Sequence, residues 1–246
     1  MVEPLFRIPV ASSPAKPGDS ILLDGAEGKH AVSVRRMRVG EAIQLTDGCG
    51  LRIRGVVGSV ADKSLTVSVG EVTVEPEPAT KLTLVQALAK GDRDELAIQA
   101  ATELGAWQIV PWQAERSISR WDAAKATKGV ERWQSIVSEA AKQSLRVFEP
   151  VVIAPLTSKQ LQAAVADFDA VLVLDPTAVD GIGSLDALSG SIAIVVGPEG
   201  GISEAELAAL ETAGAKRIRL GSEILRTSTA GVAAIAVLQA KLGAWN

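Results

Sequence analysis

Two different periodicities divide the chain. From residue 81 onward, short and nearly continuous apolar runs alternate with longer stretches whose apolar positions recur every three or four residues. The continuous runs read as strands buried on both faces, and the longer stretches as the helices that cover them. Expected strands are Leu82–Leu88, Trp107–Val110, Val151–Ile153, Ala170–Leu174, Ile192–Val196 and Lys216–Leu220. Expected helices are Asp92–Leu104 ended by Gly105, Trp121–Ser144 interrupted at Gly129, Ser158–Phe168, a helix from Ser203 to about Gly214, and Thr229–Leu242. Ser203 stands three residues before Glu206, the spacing of a capping box. Such alternation predicts an α/β domain with a largely parallel sheet.

Residues 1–74 read differently. Ile21–Leu23, Ala42–Thr46, Leu51–Val57 and Ser64–Val72 are short segments, several of them alternating apolar with polar, and Asp47-Gly48 is a hairpin signal. They predict a small β-barrel. Between the first two lies Glu27–Gly40, where His30, Val34 and Met37 share a helical spacing and the arginines project from another side. Glu75-Pro76-Glu77-Pro78 is an acidic, proline-bearing linker. The expected organisation is a β domain at 1–74, a linker at 75–80 and an α/β domain at 81–246.

Composition narrows the chemistry. With 246 residues and 47% hydrophobic content the chain can bury a real core, and no apolar run approaches the roughly 20 residues of a membrane helix. The start, MVEPLFRIPV, is too short in its apolar part for a signal peptide, and the single Cys49 fits a reducing cytoplasm. One histidine, His30, argues against a His-rich metal site and against a Ser-His-Asp triad, so metal-free chemistry is expected. The net charge of −4 hides an uneven distribution. Residues 28–40 carry Lys29, Arg35, Arg36 and Arg38 with no acid, and residues 116–146 hold seven Lys or Arg against three Asp or Glu. Phosphate binding needs local positive potential rather than a basic total, although a solvated face would look the same.

The candidate chemistry sits at 191–229. The run Ile192–Val196 stops at Gly197-Pro198-Glu199-Gly200-Gly201, where glycines allow a tight turn and close approach to a ligand. A second loop, Gly221-Ser222-Glu223-Ile224-Leu225-Arg226-Thr227, follows the strand Lys216–Leu220. In open α/β sheets ligands bind outside the carboxyl ends of the strands, yet either loop alone could be an ordinary turn.

Together the loops resemble the SPOUT methyltransferases, and within them the RsmE-type enzymes that methylate uridine N3 in small-subunit (16S) ribosomal RNA. The matching residues are Val196–Gly201, Leu220-Gly221 and Ile224–Thr227 with Thr229-Ala230, while Ser228 departs from the family's usual Glu. Further matches are Ala89–Arg93 with Glu95, Ala101–Gly105, Glu115–Ser117 and Glu139–Ser144, with Arg146 and Pro150 beyond. The resemblance runs nearly end to end. It implies a PUA-like RNA-binding β-barrel followed by a SPOUT α/β domain with a C-terminal trefoil knot. It implies S-adenosyl-L-methionine held by the loop after Leu174, the Gly197–Gly201 loop and the Leu220–Thr227 loop. The expected cofactor contacts are Leu174, Gly197, Pro198, Glu199, Gly200, Gly201, Ile202, Leu220, Gly221, Ile224, Leu225 and Thr227. It further implies a homodimer joined through the last helix, and ribosomal RNA as partner, contacted by Arg7, His30, Arg35, Arg36, Lys90, Arg116 and Arg146. Arg226, directly after the cofactor loop, is the candidate for stabilising charge on the uracil ring. The alternative for Arg226 is a pair with Glu223 or a capped carbonyl. Glu199, a backbone carbonyl or water remain open as acceptors of the N3 proton. A related methyltransferase acting on another base or a ribose 2′-hydroxyl, and a non-catalytic dimeric RNA-binding protein, are the rival readings. The start of a dinucleotide pattern at Gly181-Ile182-Gly183 lacks both a preceding strand and a third glycine.

Overall fold

The computed structural model describes residues 2–10, 15–185 and 188–245. The chain forms two compact units, one of Met1–Glu77 with Ala141–Glu149 and the other of Pro78–Ala140 with Pro150–Asn246.

The first unit holds β1 (Leu5–Arg7), β2 (Ser20–Leu23), the short helix α1 (Gly25–Lys29), β3 (Ala42–Thr46), β4 (Leu51–Val60) and β5 (Leu65–Val74). Its sheet runs β1-β3-β4-β5-β2, with β1 parallel to β3 and the other pairs antiparallel. Bulges at Arg54/Gly55 and Val57/Ser59 bend the long central pair, which lets one face wrap a core of Phe6, Leu23, Ile43, Leu45, Ile53 and Leu65. The expected helix after β2 is a correction. α1 passes into a π turn at His30–Val34, and Arg36 then takes φ 55°. The wider turn rotates the face, so Ala31 and Met37 are buried while Val34 is exposed.

The segment 141–149, expected to belong with the α/β domain, groups with the first unit instead. Leu145 at φ 58° turns the chain, after which the Gly50 N–H donates to the Val147 carbonyl and the Glu149 N–H to the Gly48 carbonyl, each at 3.0 Å. Lys142 Nζ lies 2.7 Å from Glu27 Oε1, and Arg52 Nη2 donates to the Leu145 carbonyl at 3.1 Å. No sequence period marks this return, because its bonds are to residues far away in the chain.

The second unit contains β6 (Thr80–Ala87), α2 (Arg93–Glu103), β7 (Gln108–Gln113), α3 (Ala123–Gln143), β8 (Val151–Val152), β9 (Leu156–Thr157) and α4 (Ser158–Ala164). It continues with β10 (Ala170–Leu174), β11 (Gly190–Val196), α5 (Glu204–Thr212), β12 (Lys216–Ile218) and α6 (Thr227–Lys241). The sheet order is β12-β10-β11-β6-β7-β8, with β9 also on β7, and every pair is parallel. The strands are buried on both faces, as the unbroken apolar runs required. Ile192, Ile194 and Val196 share a core with Ile98, Trp133, Val137, Ile235 and Leu238 of α2, α3 and α6. Ala193 and Val195 point the other way, to Leu161, Leu207 and Leu210 of α4 and α5. The expected break at Gly129 does not occur. α3 is continuous there, and a Cβ on Gly129 would lie 2.7 Å from the Trp121 ring, so the glycine serves close packing.

Among the described residues no helix is long and apolar enough to cross a membrane.

Candidate active site

Three neighbouring parallel strands, β12, β10 and β11, end on the same edge of the sheet. The loops that follow them, with the start of α6, enclose a cavity of about 500 Å³. Its size falls within the roughly 300–1,000 Å³ of small-molecule sites.

After β10, Asp175 is buried and its carboxylate accepts from the Thr177 N–H at 2.9 Å, the Thr177 hydroxyl at 2.8 Å and Arg217 Nε at 2.7 Å. Burial opposes its charge, but the Thr177 bonds and Arg217 outweigh that and hold the carboxyl below its ordinary value. This local turn stiffens the first wall.

After β11, the chain turns so tightly that a Cβ on Gly197 would meet Ile202 Cγ1 at 2.7 Å. The Gly201 N–H closes the turn on the Pro198 carbonyl at 2.9 Å, with Gly201 at φ 72°. Ser203 then caps α5 in a reciprocal capping box with Glu206, as the spacing predicted. Buried Glu206 also accepts from the Ser158 hydroxyl and from the Glu115 N–H at 2.7 Å. Desolvation raises its carboxyl, yet these donors prevail and the net shift is downward.

Glu199 accepts from the Lys90 N–H at 3.2 Å and from Arg93 Nη1 at 2.9 Å, which latches the β6–α2 loop to the β11 loop. Burial again opposes the charge; its own backbone N–H, the Lys90 N–H and Arg93 overcome it, and the carboxyl sits below its ordinary value. Glu199 is therefore an anion tied to the β6–α2 loop.

After β12, Gly221 to Arg226 are all exposed, and within the loop the Ser222 hydroxyl donates to Glu223 Oε1 at 3.0 Å. Arg226 lines the cavity with no ion pair among the described residues, so the alternative of a Glu223 pair is not realised. Thr227, the first residue of α6, is buried: its hydroxyl accepts from Gln86 Nε2 at 2.9 Å and donates to the Gly197 carbonyl at 2.8 Å.

The cavity thus gathers Leu174, Gly197, Pro198, Glu199, Gly201, Ile202, Leu220, Gly221, Ile224, Leu225, Arg226 and Thr227. Gly200 stands just outside the lining, where a Cβ would lie 3.2 Å from Arg116 Cβ. Arg93, Arg116 and Asp175 join the lining without having been expected there, and Gln86 supports it from behind. A glutamine inside an otherwise apolar strand run was the signal for Gln86.

The expected RNA contacts separate. Arg35 and Arg36 are exposed on the turn after the π segment, and Lys90 is exposed on the β6–α2 loop. Arg7, by contrast, pairs with Glu149 while its N–H donates to Glu27 at 3.1 Å. His30 is half-buried, edge-on to Phe6 with ring centroids 5.9 Å apart. Arg146 is half-buried, and desolvation lowers its guanidinium to about 10. Those three have structural partners or surroundings that limit their approach to a polyanion. Among the described residues no group of three or more His, Cys, Asp or Glu is arranged to hold a metal ion.

A family model described as an RNA methyltransferase domain matches residues 75–239, and one described as an RNA methyltransferase PUA domain matches 23–70. The chain belongs to this RNA methyltransferase family, whose catalytic and PUA modules match its two stretches in order. Its similarity extends to particular members. It is 42% identical to ribosomal RNA small subunit methyltransferase E of Mycobacterium bovis, over 93% of this chain and 89% of that protein. Against the protein of the same name from Bacillus subtilis it is 36% identical, over 88% of each. Among solved structures, ribosomal RNA small subunit methyltransferase E from Neisseria gonorrhoeae bound to S-adenosyl methionine superposes with a TM-score of 0.85, at 30% identity over 97% of this chain and 98% of that one. A methyltransferase from Legionella pneumophila with bound SAM gives 0.87 at 29% identity over 98% of both chains.

Proposed function

We propose that this chain is an S-adenosylmethionine-dependent methyltransferase that methylates N3 of a uridine in small-subunit ribosomal RNA. The observation that carries the reading is the cavity at the ends of β10, β11 and β12, in a chain whose relatives are named ribosomal RNA small subunit methyltransferase E. The residues fit the cofactor. Leu174, Ile202, Leu220 and Leu225 offer an apolar wall for a flat ring, and the Gly197–Gly201 turn brings backbone polar groups to the surface of the site. When bound, the cofactor supplies a methyl group on a sulfonium sulfur.

The chain's own part is alignment and charge. With the cofactor bound, the Gly197–Gly201 and Leu220–Thr227 loops would orient its methyl group toward the incoming base, which would replace the entropy of a random encounter. Arg226, unpaired on the cavity wall, stabilises the negative charge that spreads to the uracil oxygens as N3 loses its proton. Glu199, held by Arg93 and the Lys90 N–H, a backbone carbonyl and water are the acceptors open to that proton.

The first unit binds RNA through Arg35 and Arg36, whose planar forks suit phosphates and unstacked bases, with Arg7, His30 and Arg146 shaping the same unit from within. On the second unit, Lys90 and Arg116 are the RNA contacts. A C-terminal trefoil knot, as the resemblance implies, belongs to the same reading. Exposed Val237 and half-buried Val232, Ala233 and Ala236 on α6 support a homodimer through that helix, working in the cytoplasm where ribosomes assemble.

The test is calorimetric titration with S-adenosylmethionine, followed by methyl transfer to unmodified small ribosomal subunits and mapping of the product base. Micromolar binding and 3-methyluridine support the reading. A methylated ribose or another base would replace it with a related activity, and no cofactor binding with or without subunits would end it.

A further inference from the structure

The loop between β7 and α3 is anchored at its base and bare at its tip. The Glu115 N–H donates to buried Glu206 at 2.7 Å, and the Glu115 carboxylate accepts from the Ser203 hydroxyl at 2.6 Å. Arg120 Nη2 donates back to the Glu115 carbonyl at 2.6 Å, closing the loop on itself, while the Trp121 N–H donates to Gln113 Oε1 at 2.8 Å. Ser117 is buried between these ties. Arg116, Ile118 and Arg120 remain in solvent, as does Glu115, whose carboxylate is engaged by the Ser203 hydroxyl. Neither arginine has a carboxylate partner among the described residues, and Ile118 is 68% exposed. Arg116 lines the cavity and donates to the Gly200 carbonyl at 3.2 Å, so the tip begins at the cavity's edge.

A large apolar side chain held in water by a fixed loop gains neither burial nor freedom, so its placement points to a partner. Its neighbours define that partner as a polyanion, since the two guanidinium groups that flank it bond only backbone carbonyls among the described residues and keep their charge uncompensated by a carboxylate. Uridine N3 lies on the pairing edge of the base, so in a structured RNA the base must leave its stack before the cavity can take it. The gap left behind is apolar on both faces, and proteins that distort nucleic acid fill such gaps with aliphatic wedges.

Resting on the reading of the chain as an RNA methyltransferase, we propose that Arg116–Arg120 is the RNA-gripping loop of the second unit. Arg116 and Arg120 take phosphates on either side of the target nucleotide, and Ile118 stands in the stack in place of the extruded base.

Small ribosomal subunits carrying unmodified RNA are the probe, because they hold the base in its structured surroundings. Ile118→Ala is expected to lower their single-turnover methylation about tenfold with cofactor affinity and Tm unchanged, and Ile118→Leu to restore it. Arg120→Gln keeps a donor for the Glu115 carbonyl while removing the charge. It is expected to reduce the slope of log affinity against log salt by about one. Full activity of Ile118→Ala on subunits that the unaltered protein methylates would overturn the wedge, as would loss of cofactor binding in that variant. An unchanged salt slope in Arg120→Gln would overturn the grip. If the unaltered protein methylates no RNA, the underlying reading falls, and the salt slope of RNA binding still decides the grip.

Discussion

Set the loop after β11 beside the loop after β12: both line the cavity, but they are held in opposite ways. Gly197 to Ser203 is tied by the Thr227 hydroxyl, the Ser203–Glu206 capping box, Arg116 and the Glu199 latch. Gly221 to Arg226 is exposed at every residue, with Ile224 at 82%. The contrast teaches that half of this cavity exists before a ligand arrives, while the other half has little to lose by moving. A preformed wall lowers the ordering cost of binding, and an untethered one can close over what has bound.

The comparison breaks most sharply at Gly197. Replacing it with Arg forces a side chain into Ile202, and S-adenosylmethionine affinity by calorimetry should fall about a hundredfold or more while the sheet still folds. Next comes Arg226→Ala, on the untethered side. It should cut kcat by about 100- to 1,000-fold and leave cofactor Kd near the unaltered value, a split that separates charge stabilisation from binding. Equal loss in Kd and kcat would make Arg226 a wall residue only.

Glu206→Gln tests the tethered side through stability. It removes charge-assisted bonds from a buried carboxylate and should cost about 1–3 kcal/mol in denaturant unfolding. The sign of the pH effect follows from the lowered carboxyl. Its contribution is fully present above the ordinary value of 4.5 and is lost as pH falls through the lower folded value, so the variant's deficit should shrink in acid. The smallest effect belongs to Ile224→Ser. Cofactor affinity should weaken about threefold with Tm unchanged, since the side chain is exposed until a ligand covers it. A lowered Tm would show that the second loop is packed after all.

Much of the second unit was legible because its signals are local. Ile192–Val196 reads as a buried strand from its β-branched run, and Ser203–Glu206 as a helix start from one spacing. The cavity wall followed from motifs on those same loops. What escaped the sequence depends on residues distant in the chain. Asp175 is a wall residue only because Arg217 and Thr177 fix it, and Gln86 matters only because α6 returns to it. Arg7 looked like a free cation because its partner, Glu149, lies far along the chain. The π turn after α1 was hidden for a different reason: His30, Val34 and Met37 satisfy a helical spacing that the widened turn then shifts out of phase.

The return of residues 141–149 to the first unit has a consequence for the order in which the protein is made. A ribosome that has released residue 80 has emitted every strand of that unit's sheet, yet not the stretch that pairs Glu149 with Arg7 and Lys142 with Glu27. At roughly 5–20 residues per second, the wait until residue 149 emerges is on the order of 3–14 s. During that interval the N-terminal unit is a nascent chain with its last contacts missing, while β6, α2, β7 and α3 emerge behind it.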